Sequence, residues 1–599
     1  MIQRRSFIVA LLVALVVFVA IAPTLAWLDF SSGSENLNVA TVLEMRRGGP
    51  WIVPTLRGRP RTTKPPLTAW LSASAVSPET VGALSTSDPA RRADAYRSLA
   101  WQIRWPAMAS SCLMLVGVYC LGNLIGGIRL GLVAMMVAGT NLLFLKFGRS
   151  NTTDVQLALW VTWTNVFFAW ALLRGRKWTG FVGAGVTLGA ALMSKGPVAL
   201  VQTVVPVVCF VLWRVIVIEE GLSPSPRTPG EGGGEGDSGL EAPDVRNHPH
   251  PNPLPEYRER GPERLGRSLA LPVFAGLVVM LLIALPWPIS VLRANPNILN
   301  AWQKEVTRVG ATHLEPDPFW SYVKFFPLLL PWLPAFVVGC LMALGRAPRR
   351  GAVALAMCLT FLPIVVMCFF QDKPDRYLLP MVGPASVIAA FALVEQFKPR
   401  AQRLENDRIM AAIHWATIAI LAVGFPIAGA TGLRTAEGTP WFSWILAVTS
   451  AAAGGGVVLA GLLVRRRWAW AVVVVPFVLM LGMQALFTHG YRQSYEGRSA
   501  VRELADTVYA RAPDAAVFLH DPGAVARSYP IEIPIYFNRI VKEVSNPAAH
   551  LAPDRPTAIL VPVRDDDPRF MPPEGWEWVH DLPWAKRAWK VYFAPATGK

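Results

Sequence analysis

The sequence predicts an α-helical polytopic membrane protein, with about thirteen transmembrane helices and a small C-terminal α/β extramembrane domain. Three observations carry that prediction. Hydrophobic residues make up 53% of the 599-residue chain and charged residues only 16%, and the mean hydropathy is +0.37, too apolar for a soluble protein. Apolar runs near the ~20-residue length of a spanning helix recur from residue 7 to residue 489. After Gly490 the chain changes to a mixed tail with short β-branched and aromatic runs.

Taken in order, the basic stretch Met1–Arg5 precedes an apolar run over 7–28 that is long enough to span. Ala20, Ala22 and Ala26 near its end also fit a cleavable signal peptide. The run exceeds the usual signal core of about 7–15 residues, which favours an uncleaved anchor. Further spans are expected at 105–124, 129–147, 155–173, 178–193, 197–218, 269–293, 321–345, 352–370, 377–396, 409–432, 441–464 and 469–489. With the N-terminus cytoplasmic, the short inner loops carry Arg129; Arg174, Arg176 and Lys177; Arg346, Arg349 and Arg350; Lys398, Arg400, Arg403 and Arg408; and Arg465 to Arg467. Each obeys the positive-inside rule. The same count sends the polar stretches 29–104, 148–154, 194–197, 293–320 and 371–376, and the tail, to the outer face. Dispersed polar loops converging on one face are what an enzyme working at a membrane surface requires.

Residues 219–268 turn to Gly, Pro and charge, a composition that buries too little apolar surface to fold, and read as a disordered cytoplasmic loop. Its His248-Pro249-His250-Pro251 run is stiffened away from chelating geometry and has no suitably spaced acidic or Cys partner. The six cysteines all fall in apolar runs, without a disulfide framework or zinc spacing. The net charge of +17 reports topology and argues for no nucleic-acid partner. The expected organisation is a transmembrane domain over 1–490 and an exported α/β domain over 491–599. In the tail, 499–510 reads as an amphipathic helix and 515–519, 533–537, 557–563 and 589–593 as strands.

The first outer loop, 29–104, holds the densest chemistry. Glu35 precedes an amphipathic stretch over 37–45, with Ser34 as the expected N-cap, which places the acid in the first turn of a helix lying on the membrane surface. Complementing the helix dipole is the ordinary role of such an acid; acting as a base is the functional one. In Lys64-Pro65-Pro66-Leu67 the prolines force an extended approach and then permit a helix start. Lys64 thereby stands at a helix head, where an ammonium and free N–H groups can meet a phosphate together. Lysines and arginines at membrane edges also snorkel to headgroups, which is the ordinary reading of Lys195 and Arg376.

The order of motifs is more specific than any one of them. An acid after the first span, Gly49-Pro50-Trp51 to Pro54, Lys64-Pro65-Pro66 with Trp70, Arg104, Gly148-Arg149 with Asp154, Ser194 to Pro197, Pro286-Trp287, Pro331-Trp332 and Arg376-Tyr377 to Pro380 follow one another. In this set the chain resembles the GT-C glycosyltransferases of the dolichyl-phosphate-mannose protein mannosyltransferase and aminoarabinose transferase (ArnT-like) superfamily, over roughly residues 6–400. The resemblance implies a GT-C fold, a polyprenyl-phosphate sugar donor, and a carboxylate of the first outer loop at the reaction centre. Three positions depart from the family pattern. Its Asp-Glu pair falls on Ser34-Glu35, its Arg-Tyr on Leu37-Asn38, and the acid before the lysine on Thr63. These departures leave the donor unassigned and make Glu35 the leading base, with Asp29 as the alternative.

By that resemblance the expected function is transfer of a sugar from a polyprenyl phosphate to a hydroxyl of a lipid, glycan or protein acceptor, on the outer face of the cell inner membrane. A polyprenyl phosphate leaves as a stabilised anion, so catalysis needs one base for the acceptor and cations for the phosphate. The catalytic candidates are Glu35, Asp29 and Asp154, and Lys64, Arg376 and Lys195 are the phosphate-binding candidates. Arg104, Arg149, Glu305, Arg308, His313 and Tyr377 are expected to shape the donor and acceptor pocket. Family members differ in their use of a divalent cation, so metal dependence stays open. A transporter or flippase for lipid-linked sugars is the alternative from another class, but internal repeats and mid-membrane charges are not evident. The substitution at Ser34 keeps a non-catalytic binder open as well.

Overall fold

The computed structural model describes residues 4–30, 33–221, 262–295, 298–300, 302, 317–345, 350–370, 372–394, 468–493, 499–520, 531–544, 551, 555–563, 575–584 and 587–594. The spans expected at 409–432 and 441–464, most of the 219–268 loop, and Glu305, Arg308 and His313 lie outside the described residues.

The protein is an integral membrane helical bundle. Among the described residues six helices are long and apolar enough to cross a membrane, and a seventh candidate is a pair bent by 109° between Phe319–Leu328 and Leu333–Leu344. The expected count of about thirteen is therefore not reached among them. Two expected spans explain part of the difference. The 129–147 run breaks into α6 (Ile128–Ala138) and α7 (Leu142–Phe147), because Asn141 caps α7 by accepting from the Phe144 N–H at 2.9 Å. The 178–193 run forms α9 (Lys177–Lys195), which is diluted by glycine and falls outside that set although it packs inside the bundle.

After the N-terminal helix α1 (Arg4–Ile21) come α2 (Gly33–Arg46), a short hairpin of β1 (Thr55–Leu56) and β2 (Arg59–Pro60), α3 (Leu67–Ala75) and α4 (Pro78–Ala83). Helix α2 starts at Gly33, so Ser34 lies inside its first turn and is not the cap. Nor does α2 lie with a face free: Asn38 to Met45 are all buried. Helix α5 (Pro89–Gly126) starts sixteen residues before the expected span, with Pro89 in its first turn and Asp88 accepting from the Ala90 N–H at 2.9 Å. At ~1.5 Å per residue its 38 residues run roughly 57 Å, against a hydrocarbon core of ~30 Å. The first four turns therefore overhang the bundle, and Arg104 sits at their base.

Helix α8 (Thr153–Arg174) ends on left-handed Gly175 and turns back into α9, so the two pack antiparallel. Glycines on α9 allow close approach on its other side by α11 (Pro262–Ala284): a Cβ on Gly185 would lie 2.2 Å from the Gly276 carbonyl oxygen. After α9, left-handed Gly196 and Pro197 reverse the chain into α10 (Val198–Gly221). Pro286 separates α11 from α12 (Pro286–Ala294). The bundle continues through α13 (Phe325–Leu328), α14 (Leu333–Gly345), α15 (Arg350–Met367), α16 (Val382–Val394) and α17 (Trp468–Gln493).

The tail begins with α18 (Ala500–Arg511), which buries Val501, Leu504, Ala505, Val508 and Tyr509, the i, i+3, i+4, i+7, i+8 stripe of an amphipathic helix. A five-stranded mixed sheet follows in the order β4-β3-β5-β7-β6, from β3 (Ala516–His520), β4 (Lys542–Val544), β5 (Thr557–Val563), β6 (Glu577–Trp584) and β7 (Arg587–Ala594). Strand β3 is parallel to β4 and β5, while β7 is antiparallel to β5 and β6. The strand expected at 533–537 is instead a helical turn, α19 (Ile533–Tyr536), because Pro534 fits its first turn. The sheet and α18 share one apolar core with the outer loop: Phe30, Val39, Leu43, Tyr96 and Ile103 pack with Val501, Leu504, Tyr536 and Phe593. Polar contacts reinforce the junction. Arg92 Nε meets Asp506 Oδ1 at 2.7 Å, the Tyr96 hydroxyl donates to the Tyr536 carbonyl at 2.8 Å, and the Tyr536 hydroxyl accepts from the Phe30 N–H at 2.8 Å.

Candidate functional site

The polar loops expected on one face do meet at one end of the bundle, and they form two clusters joined by the segment Gly148–Asp154. In the first cluster Glu35 forms a two-point pair with Arg104: Nε to Oε1 and Nη2 to Oε2 are both 2.8 Å. Arg104 also donates to the carbonyls of Leu25, Leu28 and Asp29. Glu35 Oε1 accepts a further bond from the Asn151 N–H at 3.0 Å. Burial pushes the Glu35 carboxyl up, but the Arg104 charge and hydrogen bonds, the Asn151 N–H and the Arg149 charge outweigh it and hold the group below its ordinary value. Glu35, expected as the base, is thus geometrically an anchor. Both its oxygens already face an arginine.

Asp29, the alternative base, is also engaged elsewhere. Its Oδ1 pairs with Arg502 Nη1 at 2.6 Å and its Oδ2 accepts from the Ser499 N–H at 3.3 Å, so it ties the head of α18 to the end of the first span. Arg149 points back into the bundle, donating to Thr488 Oγ1 at 2.7 Å, to Thr24 Oγ1 at 3.2 Å and to the Thr24 carbonyl at 3.3 Å. Arg104 and Arg149, expected in the pocket, serve these internal contacts. Asn151, which no motif singled out, is the hub of the segment: its Oδ1 accepts from Asn38 at 3.0 Å and from Ser72 on α3 at 2.9 Å.

The second cluster is centred on Asp154, in the first turn of α8. Its Oδ1 is bonded to Lys195 Nζ at the end of α9, and its Oδ2 meets Arg376 Nε at 3.2 Å. Helix polarity favours both placements, an acid at an N-terminus and a lysine at a C-terminus. The Asp154 and Lys195 side chains are 2% and 7% exposed, whereas Arg376 is 32% exposed. Tyr377 forms one wall, with Lys195 Nζ 3.3 Å and the Arg376 guanidinium 5.5 Å from its ring centre. Half-buried Lys64, three residues ahead of α3, lies within electrostatic reach of Lys195. Two cations therefore grip one carboxylate, with a third close to Lys195. That surplus of positive charge suits a phosphate.

A second layer supports Arg376 and Tyr377. Asp375 bridges Lys146 and Lys324 at 3.0 and 2.9 Å, and buried Lys373 donates to the carbonyls of Asp317 and Phe370 at 2.8 and 2.6 Å. The sequence places Asp317, Lys373 and Asp375 in polar stretches of the expected outer face without giving them a role, and it puts Lys146 and Lys324 inside expected spans. The donor set fits a divalent cation poorly. Asp154 is flanked by cations, and among the described residues no three His, Cys, Asp or Glu side chains come together.

Comparison with known proteins agrees with this architecture. A family model for dolichyl-phosphate-mannose-protein mannosyltransferase matches residues 96–219, the segment that carries Arg104, Asp154 and Lys195. An undecaprenyl phosphate-alpha-4-amino-4-deoxy-L-arabinose arabinosyl transferase of Proteus mirabilis is 23% identical over 381 residues, covering 62% of this chain and 59% of that protein. A Yersinia enterocolitica enzyme of the same name is 22% identical over 492 residues, covering 79% of this chain and 75% of its own. In solved structures, ArnT from Cupriavidus metallidurans bound to undecaprenyl phosphate superposes with a TM-score of 0.64 at 17% identity, covering 98% of each chain. The chain shares the fold of that ArnT structure, and in sequence it is similar to the mannosyltransferase family model and to the arabinosyl transferases.

Proposed function

We propose that this protein is a membrane glycosyltransferase that moves a sugar from a polyprenyl-phosphate donor to a hydroxyl of a lipid acceptor, with a glycan or protein hydroxyl as the wider acceptor class. The observation that carries the reading is Asp154 held between Lys195 and Arg376 against Tyr377, with Lys64 close by. The names of the arabinosyl transferase relatives support the donor class. The protein is placed in the cell inner membrane with its N-terminus cytoplasmic. The clustered loops and the 491–599 domain then lie on the periplasmic face, with about thirteen spans in all.

The proposed chemistry follows from the charge balance. Breaking the bond between the sugar carbon and the phosphate oxygen converts a phosphodiester monoanion into a phosphomonoester that gains negative charge. Lys64, Lys195 and Arg376 stabilise that gain, Arg376 through its planar fork and the lysines as point charges. Arg376, half-exposed and pairing with Asp154 through one nitrogen, turns to the phosphate as it arrives. This releases Asp154 Oδ2 to take the acceptor hydroxyl proton as the oxygen attacks the sugar carbon. Glu35 and Asp29 act by position. Glu35 fixes α2 and the 148–154 segment, and Asp29 fixes α18.

Sugar transfer by the purified protein in lipid nanodiscs, supplied with a panel of polyprenyl-phosphate sugars and membrane lipid acceptors, tests the reading. Transfer from at least one donor is expected. Binding of donors with turnover of none would instead assign a carrier or a non-catalytic binder.

A further inference from the structure

Tyr322 is 2% exposed, and among the described residues its hydroxyl has no hydrogen-bond partner. It lies within electrostatic reach of the second cluster, its charged and polar neighbours being Tyr377, Cys368, Asp154 and Asp317. Two pins hold the helical turn Phe319–Lys324 against the turn Asp375–Met381, one on each side of Tyr322. On one side Asp317 Oδ2 accepts from the Lys373 N–H at 2.7 Å and the Asp317 carbonyl accepts from Lys373 Nζ at 2.8 Å. On the other, Lys324 Nζ pairs with Asp375 Oδ1 at 2.9 Å. The phenol is therefore held in place, while Phe319, Trp320 and Val323 around it are more than half exposed.

A buried hydroxyl left unpaired lowers stability, and a bound ligand that accepts from it removes that cost. Among the described residues no group accepts from this hydroxyl. Asp154 does not serve, because Lys195 and Arg376 already engage both its oxygens. A phosphate drawn to Lys64, Lys195 and Arg376 would bring several acceptor oxygens to this place. We infer that Tyr322 is a phosphate-binding residue, its hydroxyl donating to an oxygen of the polyprenyl phosphate. The inference rests on the reading of the second cluster as a polyprenyl-phosphate site.

The test compares undecaprenyl phosphate binding by wild type and Tyr322→Phe in nanodiscs, together with the melting temperature of each free protein. Phenylalanine keeps the ring and removes only the unpaired oxygen. Affinity is expected to fall about tenfold, the loss of one hydrogen bond to a charged group, while the melting temperature stays level or rises. Equal affinity would mean that a buried water satisfies the hydroxyl, and the inference fails while the site reading stands. A lower melting temperature in the free Phe variant would show a partner within the protein and overturn it as well. Wild type that binds no undecaprenyl phosphate would overturn the site reading and this inference together.

Discussion

Glu35 and Arg104 face each other as a fork on a fork, two parallel hydrogen bonds of 2.8 Å with both side chains 5% exposed. The pair joins the first turn of α2 to the base of the α5 overhang, 69 residues later. Removing one member of a buried pair strands the other charge, which costs about 3–5 kcal/mol. Arg104→Met is expected to destabilise the protein by that amount, and Arg104→Met with Glu35→Leu is expected to recover part of the loss. Melting temperatures of the single and double variants in nanodiscs measure the coupling.

The same pair sets a pH dependence. The Glu35 carboxyl lies below its ordinary value of 4.5 in the folded protein, so the unfolded chain binds the proton more readily. Its contribution is therefore fully present above 4.5 and is lost as pH falls through the lower folded value. Melting curves taken on acidification should show wild type losing stability in that window more steeply than Glu35→Gln.

Asp29 is tied to the tail through Arg502 and the Ser499 N–H, and we propose that it acts by position rather than on the substrate. Asp29→Asn is expected to keep most of the transfer rate while weakening the grip on Arg502 and the Ser499 N–H. Limited proteolysis should then cut faster in α18, whose head Asp29 holds. Loss of turnover with unchanged proteolysis would contradict this placement.

Close helix packing positions Lys195. Gly185 has no room for a Cβ, whereas one on Gly82 would meet nothing within 4 Å. Gly185→Leu should force α9 from α11 at a cost of about 1–3 kcal/mol or more and lower donor affinity through Lys195. Gly82→Ala should change stability by no more than about 0.5 kcal/mol.

Much of this was legible from hydropathy and loop chemistry. The cores of α5, α8, α9 and α10, the amphipathic α18 and strands β3, β5 and β7 follow from apolar period and composition. The meeting of Asp154, Lys195 and Arg376 followed from assigning their loops to one face. What escaped has physical reasons. The overhang of α5 carries Arg91, Arg92, Asp94 and Arg97, so no apolar window includes it. Its stability comes from Asp88 and from packing against a tail some 400 residues away in sequence, as the Arg92 to Asp506 separation of 414 shows. The β-branched run 533–537 read as a strand, yet Pro534 and the buried Tyr536 favour a helical turn. Glu35 looked like a free acid because its partner Arg104 is distant in the chain. Local sequence does not encode such pairings.

The central claim is that Asp154, with Lys195 and Arg376, is the reaction centre. The most direct measurement is steady-state sugar transfer from a polyprenyl-phosphate donor by wild type, Asp154→Asn and Arg376→Ala, each verified as folded and monodisperse. Asp154→Asn is expected to lower kcat by about 10²–10⁴-fold, as loss of a general base does, and Arg376→Ala chiefly to raise KM for the donor. An Asp154→Asn protein that turns over at the wild-type rate would contradict it.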